Sequence, residues 1–140
     1  MMPPEQAHLI YQWIEKAEED YTNAEHTLTL QNNCPLSTVC FHSQQCAEKY
    51  LKALLIGHSL QVPKSHDLME LYHRIAPDER PSLSEEWLAI LNRYAVETRY
   101  PGDWDIISRR EAEDAFAAAG AIRQTINEEL LRILSPGEDS

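Results

Sequence analysis

Apolar residues recur along this chain at steps of three and four, and the series break where prolines fall. Between Glu5 and Gln31, the residues Ile10, Trp13, Ile14, Ala17, Tyr21, Ala24 and Leu28 form one such series, which places them on a single stripe of a long helix. A second stripe, built from Cys40, Ala47, Tyr50, Leu51, Leu54 and Leu55, predicts a helix from about Leu36 to Leu60. A short third segment, His66 to Ile75, follows Pro63. The fourth opens at Pro81 and Ser82, where Ser82 and Glu85 have capping-box spacing, and runs through Trp87, Leu88, Leu91 and Tyr94 towards Arg99. The fifth starts at a second box, Ser108 with Glu111, and repeats Ala112, Ala115, Phe116, Ala119, Ile122, Ile126, Leu130 and Ile133. Pro35, Pro63, Pro77, Pro81, Pro101 and Pro136 lie between these segments rather than inside them, as expected of a residue that interrupts helical hydrogen bonding. No stretch offers a strand candidate, so the pattern predicts an all-α fold: an antiparallel bundle of four main helices with one short additional helix. Residues 1–140 read as one domain, with a helical core at about 5–134 and a short flexible C-terminal tail.

Composition narrows the function classes. With 43% apolar and 25% charged residues the chain is neither a disordered polar chain nor a membrane protein, and its start, Met1, Met2, Pro3, Pro4 and Glu5, lacks the basic and apolar regions of a signal peptide. A cytoplasmic location is expected. The net charge of −11 argues against non-specific binding to a DNA duplex, which requires a positive surface. Acids dominate at both ends: residues 5–33 hold six acids and one base, and residues 101–140 nine acids and four bases. The second helix alone is net positive, so a phosphate-bearing ligand would favour the middle of the chain. Cys34, Cys40 and Cys46 are spaced by six residues and match no zinc signature. They read as free thiols in a reducing compartment. His42 and Cys46 stand four apart, but two ligands do not make a structural metal site.

Three clusters have the residue types for chemistry. At about 100° per residue, His42, Gln45, Glu48, Lys49 and Lys52 share one arc of the second helix, away from Leu51, Leu54 and Leu55. The simpler expectation for that arc is a solvated face with a Glu48–Lys52 pair; the functional alternative is a ligand-facing row. Gln44 falls close to the apolar arc, where its amide needs partners between helices. The second cluster is Ser65, His66 and Asp67 at the start of the short helix, where Ser65 or Asp67 can cap backbone amides and His66 could donate to a phosphate or accept from a neighbouring side chain, a structural role being the simpler expectation. The third comprises Arg93, Tyr94, Thr98, Arg99, Tyr100, Pro101, Gly102, Asp103 and Trp104. Pro101 places Arg99 and Tyr100 at a helix end, where an arginine fork could hold a phosphate and an aromatic ring could face a base. A salt bridge of Arg99 with aromatic packing fits the same residues equally well. No phosphate-cradling glycine loop, zinc-protease helix or nucleophile elbow occurs.

Cys40–Leu55 (CFHSQQCAEKYLKALL), Ser65–Leu68 (SHDL) and Thr98–Pro101 (TRYP), with Ala17, Glu18, Glu19, Asp20, Tyr21 and Ala24 upstream, together resemble the HEPN domain (higher eukaryotes and prokaryotes nucleotide-binding). The order and spacing of the blocks agree over nearly the whole chain. The resemblance implies an up-and-down four-helix bundle that pairs into a homodimer, in a prokaryotic cytoplasm. It also implies a minimal nucleotidyltransferase as partner, in a two-gene module of which some are toxin and antitoxin pairs. Other members of the family are ribonucleases, whose branch resembles an Arg, four to six intervening residues, then His. This sequence departs from that pattern: its last histidine is His73 and its first arginine is Arg74, so no arginine precedes any histidine. The resemblance therefore implies a non-catalytic, nucleotide-binding subunit rather than an enzyme. Lys49, Lys52, His66, Arg99 and Tyr100 are the candidate nucleotide- and phosphate-binding residues, with a nucleotide as the one ligand and neither metal nor further cofactor. The alternatives are an RNA-cleaving toxin in which His66 and Arg99 converge, and a plain protein-interaction module.

Overall fold

The computed structural model describes residues 2–95 and 106–135. Five helices follow in order: α1 Pro4–Leu28, α2 Leu36–Gly57, α3 Leu68–His73, α4 Glu85–Asn92 and α5 Arg109–Leu134. No strand occurs among the described residues. The fold is the all-α antiparallel bundle that the periodicity predicts, with α1, α2 and α5 as its long members and α2 in contact with all four other helices.

The stripes predicted from spacing are the buried ones. Ile10, Ala17 and Ala24 of α1, Tyr50, Leu51, Leu54 and Leu55 of α2, and Ala112, Ala115, Ala119, Ile122, Ile126 and Leu130 of α5 are shut off from solvent in the core, which Leu68, Leu71, Ile75, Leu88 and Leu91 extend. Each fully buried aliphatic side chain contributes about 1.5–3 kcal/mol relative to an exposed one, which holds the short α3 and α4 in place although they are too short to persist alone.

The helix ends differ from the spacing-based expectation in ways the caps explain. The fourth helix starts at Glu85, not at Pro81 and Ser82, because Ser84 accepts from the Trp87 amide while the preceding segment is tied elsewhere. The Tyr72 hydroxyl donates to the Pro81 carbonyl at 2.7 Å and accepts from the Leu83 amide, so residues 81–83 stay outside the helix, against α3, and the Ser82–Glu85 box does not form. The short third helix begins at Leu68 rather than His66, capped by Asp67, whose side chain accepts from the Met69 and Glu70 amides. The Ser108 cap of α5 forms as expected, accepting from Glu111. The second helix stops at Gly57, before Leu60. Ser59 takes a φ of 59°, the Ser59 amide donates to the Ile56 carbonyl and the Leu60 amide to that of Leu55, a Schellman ending. The first helix ends at Leu28 rather than Gln31. The Arg109 guanidinium donates to the Leu28 and Leu30 carbonyls and the Cys34 thiol to that of Thr27, so carbonyls at the end of α1 are satisfied from distant segments.

Candidate functional site: a buried polar strip on the central helix

The polar arc of α2 is not a solvated face. Glu48 and Lys52 are buried, as are Ser43 and Gln44, because α1 packs over one edge of the arc and the 58–67 connection over the other. The expected Glu48–Lys52 pair does form, with Lys52 Nζ 2.9 Å from Glu48 Oε2, but at side-chain exposures of 9% and 4%. Lys52 also lies over the Trp13 ring, 5.5 Å from its centroid. A charge pair taken out of water this far carries a large desolvation cost and persists only when hydrogen bonds complete it.

Those hydrogen bonds come from the neighbouring amides and from His66. Gln45 Nε2 donates to Gln44 Oε1 at 2.7 Å, and Gln44 Nε2 donates to Glu48 Oε1 at 3.1 Å and to the His66 carbonyl at 3.2 Å. His66 Nδ1 lies 3.1 and 3.2 Å from the two Glu48 oxygens. Burial pushes the Glu48 carboxyl up, but the Lys52, Gln44 and His66 contacts together hold it below the usual carboxylate range. Gln44 thus has the inter-element partners its position demands.

At the opposite edge, Asp20 of α1 is buried and joins two groups of α2: Asp20 Oδ1 lies 2.6 Å from His42 Nδ1, and Asp20 Oδ2 lies 2.5 Å from Lys49 Nζ. The strip therefore runs across α2 from Asp20, His42 and Lys49 through Gln45 and Lys52 to Glu48, Gln44 and His66. Each lysine faces its own carboxylate. Lys49 remains partly open, at 24% side-chain exposure, and an ammonium has three donors, of which Asp20 takes one. The His66 ring is 70% exposed and forms the open end of the strip.

Asp67, beside His66, is fixed by its helix and by Asn92. The Asn92 side chain accepts from the Leu68 amide at 2.8 Å and donates to Asp67 Oδ1 at 2.9 Å, so α4 holds the turn that carries His66. Arg99 and Tyr100, with Thr98, Pro101 and Trp104, lie outside the described residues. Of the candidates from the sequence, the strip contains Lys49, Lys52 and His66. Asp20 is not among those candidates, although its place on α1 between Ala17 and Ala24 is the signal of a buried acid. Among the described residues no group of three or more His, Cys, Asp and Glu side chains is arranged to hold a metal ion.

A second polar network lies between α1 and α5. Arg123 donates to both Glu18 oxygens, at 2.6 and 2.8 Å, and its guanidinium covers the Tyr21 ring at 4.2 Å. Tyr50 donates to Glu18 and accepts from Asn127. The Arg123 bonds hold the Glu18 carboxyl below its ordinary range, while burial and the Glu18 contact push the Tyr50 phenol up. Its groups are mutually satisfied and fasten α5 to α1 and α2.

The fold and this strip define the class: an all-α helical bundle whose central helix carries buried, mutually paired polar groups. The HEPN domain model matches residues 10–130, and the chain belongs to the HEPN domain family. Solved structures agree. The crystal structure of TT1696 from Thermus thermophilus is similar with a TM-score of 0.70 at 28% identity, over 85% of this chain and 96% of that one. ST0689, an archaeal HEPN homologue, shares the fold with a TM-score of 0.68 at 22% identity, over 86% of this chain and 96% of its own. No curated protein matches the chain. No described helix is long and apolar enough to cross a membrane.

Proposed function

We propose that the chain is a non-catalytic HEPN subunit that binds a nucleotide along the α2 strip, pairs with a second copy, and works in the prokaryotic cytoplasm beside a minimal nucleotidyltransferase in a two-gene, toxin–antitoxin type of module. The observation that carries this reading is the strip itself. Apolar residues in place of the whole buried set of Gln44, Glu48 and Lys52 would serve stability as well or better, so charges and amides on the central helix, with the exposed His66 of the neighbouring turn beside them, point to recognition. Lys49, with donors to spare, meets phosphate; Lys52 is anchored by Glu48 and Trp13 and supports the strip from beneath. Arg99 and Tyr100, outside the described residues, are the residues this reading assigns as phosphate fork and base-facing ring. Chemistry would belong to the partner, because no arginine precedes a histidine in this sequence and the ribonuclease pair of the family is missing.

The test is a thermal-shift titration with nucleoside mono-, di- and triphosphates, with and without magnesium. A ligand at 100 times its Kd adds about 2.7 kcal/mol of stability. A saturable, nucleotide-selective shift that the Lys49→Ala, Arg99→Ala double variant abolishes, while the variant still unfolds in one cooperative transition at a midpoint lowered by the loss of the Asp20 contact, supports the reading. No shift with any nucleotide overturns it and leaves a protein-interaction module.

A further inference from the structure

The hydrogen-bond inventory around Glu48 decides what His66 can offer a ligand. Glu48 Oε1 accepts from Gln44 Nε2, and Glu48 Oε2 accepts from Lys52 Nζ. With its titration held low, the carboxyl is ionised and carries no proton of its own, so it can only accept. His66 Nδ1, 3.1 and 3.2 Å from the two oxygens, must therefore carry the hydrogen of that contact. A neutral imidazole has one N–H; once that hydrogen is on Nδ1, Nε2 is left with a lone pair. The ring is 70% exposed. Glu48 holds the ring, and Gln44, which donates to the His66 carbonyl, holds the backbone that carries it.

We infer that His66, as the neutral ring, presents Nε2 as a hydrogen-bond acceptor to a donor on the nucleoside part of a ligand, a ribose hydroxyl or a base N–H, with Glu48 as the positioning residue. This rests on the nucleotide-binding reading above and changes one role within it: His66 does not donate to phosphate. The placement of the two lysines agrees. At the His66 edge the ammonium, Lys52, is buried and taken up by Glu48, whereas at the other edge Lys49 is partly open with donors beyond the one that Asp20 takes. The strip then has a polarity along α2, with anion at the Asp20–Lys49 edge and nucleoside donor at the His66 edge.

Two measurements on the full chain test it. Long-range 1H–15N correlation at pH 8.5 reads the tautomer without any ligand: protonated Nδ1 and bare Nε2 at His66 are expected, and the reverse pattern overturns the inference. The second is calorimetric titration of the parent and His66→Asn with ribonucleoside monophosphates, their 2′-deoxy and 3′-deoxy forms, and base analogues lacking one N–H. Asparagine keeps an amide donor towards Glu48 and removes Nε2. His66→Asn should weaken the ribonucleotide about tenfold, one hydrogen bond's worth, and that penalty should vanish for the analogue missing the donor. Vanishing on a deoxy sugar identifies a hydroxyl, and vanishing on a base analogue identifies an N–H. A penalty equal for all phosphate-bearing ligands, or none at all, overturns this inference alone; a parent that binds no nucleotide overturns both it and the reading beneath it.

Discussion

Replacing Glu48 by glutamine removes one negative charge from a site in which Lys52 is nearly shut off from solvent. The ammonium then keeps the Trp13 ring and a neutral amide as neighbours. Breaking a buried pair by removing one partner costs about 3–5 kcal/mol, because a charge is left uncompensated. Gln44 and His66 donate to the same carboxylate, and their bonds weaken as well. Total stability for a domain of this size is about 5–15 kcal/mol, so the loss takes a large share of it. With a urea slope of about 2 kcal/mol/M, a loss of about 4 kcal/mol lowers the unfolding midpoint by about 2 M. The companion variant, Glu48→Leu with Lys52→Met, removes both charges and should recover part of that loss. A residual penalty of about 1–3 kcal/mol remains for the Gln44 amide deprived of its acceptor. Urea melts followed by far-ultraviolet circular dichroism give all three midpoints. A Glu48→Gln loss under about 1 kcal/mol, the level of a surface pair, would show that water reaches the site and refute the account of the strip as buried.

The Glu18–Arg123 contact makes stability depend on acid. Glu18 titrates below its ordinary range in the folded chain, so its contribution is present above the unfolded carboxylate pKa and is lost as pH falls through the folded value. Urea midpoints measured from about pH 6 down to about pH 2.5 should fall in that window, and Glu18→Gln should flatten the fall. Thiol reactivity should follow burial: Cys40 and Cys46 are buried, Cys34 is partly open, and burial pushes the Cys46 thiol up. A disulfide reagent should label one thiol in the native protein, which Cys34→Ser abolishes, and three in denaturant. Arg109→Ala removes the donors to the Leu28 and Leu30 carbonyls and should cost about 1–2 kcal/mol in the same urea melts, whereas Arg109→Lys should recover only part, since an ammonium lacks the fork that spans two carbonyls.

Periodicity is a sufficient guide to the helices because a stripe of apolar residues at steps of three and four has few other ways to be buried. Ile10, Ala17 and Ala24, or Ile122, Ile126 and Leu130, are in the core for that reason alone. Helix ends are less legible, since they depend on contacts made across the fold. Ser82 and Ser84 offer rival caps to the fourth helix, and the Tyr72 hydroxyl, a residue from another segment, decides between them. The same holds at the site. The wheel separates Glu48 and Lys52 from the apolar residues correctly, but whether a polar arc meets water depends on what packs over it, and neither Asp20 nor the His66 turn is a neighbour of α2 in sequence. The Gln44 amide is the readable exception, since its place near the apolar arc already requires internal partners.

The paired charges of α2 also limit how the bundle can be assembled wrongly. Helices that meet through apolar side chains alone can exchange one packing for another displaced by a turn, about 5.4 Å, at modest cost. Here such a slip would part Lys49 from Asp20 and Glu48 from His66; Glu48 would keep Lys52 of its own helix, but the buried Asp20 would lose its ammonium partner, which disfavours the displaced arrangement by about 3–5 kcal/mol. The polar contacts that tie α2 to α1 and to the His66 turn thus count against the nearest displaced packings as well as for the native one.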